Sequence, residues 1–163
     1  MKYPRTQRPK HPRDCDVRGA FGARGEDEFW GYESLEGALR DGVSLAKPYD
    51  LEERTAQFGE AIIRFAKRIP ETPVTIRLIS QLVGAGTSVG ANYCEADDGV
   101  SRKDYKNRIG TCKKEARETK HFLRMVAVAV ESLKPDARVL WLEARELHLI
   151  FCSIFAKQKT EDE

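Results

Sequence analysis

Apolar residues recur at alternating steps of four and three from residue 50 onward, and no strand-like alternation competes with them. The first such series contains Leu51, Thr55, Phe58, Ile62, Phe65 and Ile69. Because a helix has 3.6 residues per turn, these positions share one face. The pattern therefore predicts amphipathic helices and an all-α fold.

Capping residues and prolines divide this region into helices. Asp50 with Glu53 forms a predicted capping box for the first helix, which Pro70 ends. Thr72 as N-cap and Pro73 at the first helical position open the second helix. It is predicted to run to about residue 96.

The third helix is predicted to begin at Ser101, with Asp104 three residues later, and to reach about Leu133. Pro135 marks the predicted start of the fourth helix. Its apolar face consists of Leu140, Ala144, Leu147, Phe151 and Ile154, and Trp141 and Phe155 widen this face. Four helices with short connections predict an antiparallel up-down-up-down four-helix bundle over residues 49–159, followed by a tail at 160–163.

Residues 1–48 mix proline, glycine and charge without a sustained period, which predicts a mostly disordered or loosely structured extension. Its first thirteen residues contain five cations and no acid, a pattern that suits either phosphate contact or simple solvation. One apolar patch predicts a short docking helix: Phe29, Trp30, Tyr32 and Leu35.

The second helix contains Gly84, Gly86 and Gly90. Each glycine costs about 1 kcal/mol relative to alanine in a helix interior, so close packing must recover about 3 kcal/mol. With Ala85, Ser88 and Ala91 they suggest a smooth side, which places this helix centrally or against another subunit. A phosphate-binding glycine loop is disfavoured, because the required GxxxxGK[ST] spacing and preceding strand are missing.

The third helix sorts its charges beside a predicted apolar seam. The seam consists of Tyr105, Ile109, Cys112, Ala116, Thr119, Leu123, Val126 and Val130. We define the basic ridge as six cations that advance with the helical repeat beside the apolar seam: Lys103, Lys106, Lys113, Arg117, Lys120 and Arg124. Asp104, Glu115 and Glu118 lie on the other flank. A helix that is merely solvated commonly mixes charges at i and i+4, so this separation forgoes several small stabilising pairs.

Two interpretations of the ridge remain open from periodicity alone. In one, acidic edges such as Glu143 and Glu146 of the fourth helix neutralise it within the assembly. In the other it follows a phosphate backbone, where six contacts would give a log–log salt slope of about 4 to 5 per chain. Neither an aromatic RNP-like pair nor helix-turn-helix spacing is present, so base-specific recognition is not predicted.

Composition limits the chemistry. The chain has 163 residues, 28 basic and 26 acidic side chains and a formal net charge of +2, so any attraction to nucleic acid must be local. The four cysteines form no CxxC pair, and His121 and His148 lack metal-motif partners, so we expect no metal or other cofactor. No membrane span or leader sequence is predicted. We expect a cytoplasmic protein that is not an enzyme.

The segment 88–125, SVGANYCEADDGVSRKDYKNRIGTCKKEARETKHFLRM, closely resembles the bacterial 23S rRNA intervening-sequence proteins, relatives of the accessory variability proteins of diversity-generating retroelements. The resemblance spans roughly residues 48–158. It is carried by Asn92, Tyr93, Glu95 and Ala96, by Ser101 to Tyr105, and by Glu115, Ala116, Glu118, Thr119 and Leu123. Several members have an aromatic pair where His121 and Phe122 stand.

The resemblance implies a bundle without catalytic chemistry that assembles into a ring, typically a pentamer, and binds RNA or DNA through a basic surface. A reverse transcriptase is a possible protein partner. The basic ridge is then the nucleic-acid-binding surface. Subunit or helix packing is assigned to Gly84, Gly86, Gly90, Asn92, Tyr93, Glu95, Glu115 and Glu118. The alternative is a protein-binding scaffold whose basic face serves self-assembly or partner docking.

Overall fold

The computed structural model describes residues 29–30 and 50–160. The part of the chain from residue 50 is helical throughout apart from its short connections: α1 is Leu51–Ala66, α2 is Thr75–Asp97, α3 is Arg102–Ala129, and α4 is Lys134–Thr160, with a 3-10 turn at Glu131–Leu133. No strand occurs within the described residues. The predicted all-α class is confirmed.

Each helix packs against the next along the chain, and α1 also packs against α4, which closes the bundle. Short connections between such neighbours give the antiparallel up-down-up-down arrangement. The predicted seam of α3 is fully buried in the centre, at Ile109, Cys112, Ala116, Thr119, Leu123 and Val126. Apolar burial along this seam supplies the main driving force for assembly of the four helices.

Local hydrogen bonds explain where the helices begin. The Asp50 carboxylate accepts the backbone N–H of Glu52 at 2.9 Å, and the Ser101 hydroxyl accepts that of Asp104 at 3.1 Å. Regular helix α2 begins at Thr75, three residues after Thr72, yet the Thr72 hydroxyl accepts the Thr75 N–H at 3.1 Å. Thr72 therefore caps this end although the first turn is irregular.

Helix α3 ends earlier than the sequence predicted. It stops at Ala129 rather than Leu133, because Val130 leaves the helical region with φ −137° and ψ 84°. The 3-10 turn that follows directs Leu133 into the core, where it is buried. Pro135 lies in the first turn of α4, where its missing N–H costs no helical hydrogen bond.

The glycines of α2 do not share one side of the helix. A Cβ on Gly86 would lie 2.8 and 2.9 Å from two carbon atoms of Ile62, and a Cβ on Gly90 would contact the backbone of Thr55 at 3.4 Å. Both glycines therefore let α1 approach within the same chain. Gly84 is exposed with open space around it. The predicted smooth side is split, because at about 100° per residue Gly84 and Gly86 point about 160° apart around the helix axis.

These two glycines make a matched pair for a stability test. We expect Gly86→Ala to lower the free energy of unfolding by about 1–3 kcal/mol, because the new methyl group overlaps Ile62 in a packed interface. Gly84→Ala should raise it by up to about 1 kcal/mol through helix propensity. Urea denaturation followed by circular dichroism measures both. Equal effects of the two substitutions would contradict the described α1–α2 contact.

Candidate nucleic-acid interface

The basic ridge follows the side of α3 that borders α4. Lys103 and Arg117 are exposed, whereas the other four cations are half-buried. Within the described part of the chain, no carboxylate forms an ion pair with Lys103, Lys113, Arg117 or Arg124. These four charges are therefore not neutralised by the bundle itself.

Three ridge cations lie over aromatic rings. The ammonium of Lys113 is 4.5 Å from the ring centroid of Phe155, and that of Lys120 is 4.5 Å from Trp141. The guanidinium of Arg124 is 4.5 Å from the ring of Phe29. Such contacts hold a cation at a ring face while its hydrogen-bond donors stay available for other partners. The α3–α4 groove thus alternates aromatic rings with positive charge.

The carboxylates that the first interpretation offered to the ridge bind an arginine of α1. Arg54 donates from Nε to Glu143 at 2.6 Å and from Nη2 to Glu146 at 2.8 Å. Burial lowers the pKa of Arg54, but the hydrogen bonds and charges of these two glutamates outweigh it and raise the pKa overall. This ion pair joins α1 to α4.

Two residues of the N-terminal extension cover one end of the groove. Trp30 is 7% exposed, and its ring centroid lies 5.7 Å from that of Trp141. Phe29 makes an edge contact with Trp30 at 4.9 Å and lies beneath Arg124 and Lys134. Both residues are helical. Tyr32, Leu35 and the rest of the predicted extension 1–48 lie outside the described residues, as does 161–163 of the tail.

A histidine lies under the ridge. His148 of α4 has Nδ1 at 3.0 Å from the backbone carbonyl of Lys113, so this nitrogen carries the proton and donates. Its Nε2 lies 3.5 Å from the Cys152 sulfur and can accept the thiol proton. Burial lowers the pKa of His148; the bond to the carbonyl opposes this, and the charges of Lys120, Arg117 and Lys113 lower the pKa further.

The residues assigned to packing at the end of α2 meet α3 in the same chain. Arg108 forms an ion pair with Glu95 and donates to Asn92 Oδ1 at 3.4 Å, and Asn92 also donates to the Ser88 carbonyl at 2.8 Å. The half-buried ring of Tyr93 packs on Phe151 at 5.9 Å. These side chains therefore join α2 to α3 and α4.

The two assigned glutamates of α3 lie on the flank away from the ridge. Glu115 is half-buried and Glu118 is exposed. Burial, followed by the negative charge of Glu118, raises the pKa of Glu115. Neither carboxylate forms an ion pair within the described residues, so both are available to a subunit contact.

The described residues also bear on metal binding, membrane insertion and cysteine chemistry. No group of three or more His, Cys, Asp or Glu side chains there is placed to hold a metal ion. No helix in that part of the chain is long and apolar enough to cross a membrane. Cys94, Cys112 and Cys152 form no disulfide, and burial raises the pKa of Cys112 to about 12.

The chain matches a known protein family over most of its helical region. The family model for the 23S rRNA-intervening sequence proteins matches residues 48–148. The chain belongs to this family. The matched region contains the whole basic ridge, Trp141 and His148, whereas Phe29, Trp30 and Phe155 lie outside it.

A solved structure has a similar fold. It is a protein of unknown function from the S23 ribosomal protein family of Bacteroides thetaiotaomicron VPI-5482, with 24% sequence identity and a TM-score of 0.58. The similarity covers 64% of this chain and 96% of that one. A search of curated proteins found no match.

Sequence reasoning did not find the partners of the ridge in this intervening-sequence protein. It placed Trp141 and Phe155 only on an apolar face, and it gave no role to Arg54, Arg108 or His148. The sequence does contain a signal that predicts these contacts between α3 and α4. In two antiparallel helices, positions about equally far from the connection lie opposite each other. Lys120 and Trp141 satisfy that condition, as do Lys113 and His148.

The lowered pKa of His148 predicts a pH dependence of stability. The unfolded chain takes up a proton below its ordinary pKa of 6.5, whereas the folded chain resists it, so stability falls as the pH drops from 6.5 toward the lower folded-state pKa. His148→Gln keeps a donor for the Lys113 carbonyl and should weaken this fall. Urea unfolding at a series of pH values measures it. The exposed His121→Gln is the control, and an unchanged pH dependence in His148→Gln would refute the assignment.

Proposed function

We propose that this intervening-sequence protein binds nucleic acid, RNA in the first place, through the basic ridge, and that it acts as a cytoplasmic accessory or scaffold without catalytic chemistry. One observation carries the proposal: the ridge cations line the α3–α4 groove, and four of them form no ion pair with any described carboxylate. Phosphate oxygens are the complementary ligands for such a row of ammonium and guanidinium groups.

The charge distribution favours a local and non-specific contact. A net charge of +2 on 163 residues gives little long-range attraction, so binding depends on the ridge. If all six cations contact phosphates, the log–log salt slope is about 4 to 5 per chain. Contacts to phosphate set position and register but read no bases.

Assembly into a homo-oligomeric ring, a pentamer in our proposal, would multiply this surface. Several ridges in one particle act at high effective concentration, so modest contacts add up. The outward side of α2 suits a subunit contact, because Ile76 is 55% exposed and three of the exposed positions beyond it are small: Ser80, Gly84 and Ala91. Neighbouring Val74 is 66% exposed.

The second candidate function is a protein scaffold, and the same exposed apolar positions of α2 favour it. In that case the ridge docks on an acidic protein surface, for which a reverse transcriptase is a candidate. Such a surface would also give salt-dependent binding. Direct binding to RNA therefore separates the two functions.

The RNA test uses neutral substitutions, because the Lys113 and Lys120 stems cover aromatic rings. We expect Lys113→Gln, Arg117→Gln and Lys120→Gln together to weaken RNA binding and to reduce the salt slope by about 2 to 3, at roughly 0.7 to 0.9 per phosphate contact. Fluorescence anisotropy with a labelled single-stranded RNA measures both the affinity and the salt slope. The salt concentration is varied from about 50 to about 300 mM, a range over which such a slope changes the affinity strongly.

The matched control removes three cations from the other side of the bundle: Arg64→Gln, Lys67→Gln and Arg77→Gln. It changes the net charge equally but leaves the ridge intact. If control and ridge variants lose the same affinity, attraction is a property of total charge and the proposed surface is wrong. If the wild type binds no RNA, the scaffold function replaces nucleic-acid binding.

Oligomeric state has its own test. We expect the wild type to have a mass several times that of the 18.5 kDa chain, with five copies as the proposed number. Ile76→Lys places a charge in the proposed subunit contact and should lower the mass while the helical content stays unchanged. Val128→Lys, at an exposed position of α3, is the control. Light scattering behind size exclusion measures the mass, and a monomeric wild type at micromolar concentration would disprove assembly.

A further inference from the structure

The α3–α4 groove contains an aromatic site that we call the Trp141 pocket, formed by Trp141 and Lys120, with Arg124 and Lys134 at the neighbouring Phe29. Lys120 lies over the Trp141 ring at 4.5 Å. Trp30 occupies the pocket, and Phe29 at its side is contacted by Arg124 at 4.5 Å and Lys134 at 4.8 Å. One cation thus lies over Trp141, and two more lie over Phe29 beside Trp30.

This combination of groups is the one that proteins use for single-stranded nucleic acid. Bases stack on aromatic side chains, and cations beside them neutralise the phosphates between the bases. The indole of Trp30 is a flat, two-ring heterocycle of about the size and shape of a purine. The pocket therefore already accepts a group that resembles an unpaired base, next to charges that suit phosphate.

We propose that the Trp141 pocket binds an unpaired base of a single-stranded nucleic acid, and that Trp30 is the internal occupant that this base displaces. The inference rests on the proposed function of the ridge. It adds a preference for single strands over duplexes, because the bases of a duplex remain stacked and paired and cannot enter the pocket.

Several observations indicate that Trp30 is an exchangeable occupant. Its Nε1 is buried without a hydrogen-bond acceptor among the described residues, which makes the docked state less favourable than a fully bonded one. The two tryptophan rings are tilted by 50° rather than stacked flat. Trp30 also lies outside the family region at 48–148 and is joined to α1 only through residues 31–49.

The sequence adds a charge argument. Glu26, Asp27 and Glu28 directly precede Phe29 in the chain. A ligand that displaces Phe29 and Trp30 therefore competes with a stretch of sequence that carries three carboxylates directly beside the aromatic pair.

The opposing explanation is that Trp30 only completes the hydrophobic core. Its ring does belong to the buried cluster that contains Trp141. In that case, removing it lowers stability and leaves RNA affinity unchanged or reduced. The two explanations therefore predict opposite changes in binding.

The experiment compares full-length proteins with a labelled 12-nucleotide oligoadenylate RNA and with a duplex RNA of similar length. We expect Phe29→Ala with Trp30→Ala to bind the oligoadenylate at least about fivefold more tightly than the wild type, the lower end of the stacking contribution of one base. Duplex affinity should change much less. The chain has two tryptophans, so in this variant Trp141 alone reports stacking, through quenching of its fluorescence.

A second variant guards against a folding defect in the first. Glu26→Gln, Asp27→Asn and Glu28→Gln keep both aromatic rings and should still tighten oligoadenylate binding. The matched control, Glu53→Gln, Glu60→Gln and Glu71→Gln, makes the same charge change in α1 and the α1–α2 connection and should have a smaller effect.

The outcomes separate the two proposals. One outcome is that the ridge glutamine variant loses binding while the Phe29→Ala, Trp30→Ala variant gains none. In that case the proposed ridge function stands and base binding in the Trp141 pocket is refuted. Equal gains for oligoadenylate and duplex, or no quenching of Trp141, also refute the base pocket. If no variant and no wild type binds either RNA, both proposals fail.

Discussion

The packing of α3 against α4 is the constraint on which the basic ridge and the groove beneath it depend. The buried seam from Ile109 to Val126 fixes the rotation of α3, and that rotation turns the basic ridge toward the edge of α4. Aromatic residues of α4 then lie beneath the lysine stems of the ridge. Each cation keeps donors available while its stem covers apolar surface. The same packing of α3 against α4 thus forms both the buried core and the charged groove.

Two arginines form ion pairs that hold the other helices in this arrangement. Arg54 binds Glu143 and Glu146 and attaches the short helix α1 to α4. Arg108 binds Glu95 and joins α2 to α3. Because arginine makes several directed hydrogen bonds to carboxylates, these contacts fix the register between helices. Both pairs thus bind their carboxylates to arginines outside the basic ridge.

The groove combines two kinds of chemistry at different depths. Cations such as Arg117 are exposed at its edge, whereas Trp141 and His148 lie deeper, and Trp30 covers the tryptophan. Electrostatic attraction acts over about a Debye length of 10 Å at 0.1 M salt, while ring stacking requires direct contact. The charges of the groove therefore act at longer range than its aromatic surface.

The sequence by itself determined the helices, most of their ends, the seam of α3 and the identity of the ridge, because these follow from helical periodicity and capping within one segment. It did not determine that Glu143 and Glu146 bind Arg54, that Gly86 faces Ile62 while Gly84 faces outward, or that Trp30 lies on Trp141. These contacts join residues up to about 110 positions apart along the chain, and side-chain periodicity sets the face of a helix but not the neighbour that covers it. Only the tertiary structure decides which helices meet, since that choice depends on burying all the apolar faces at once.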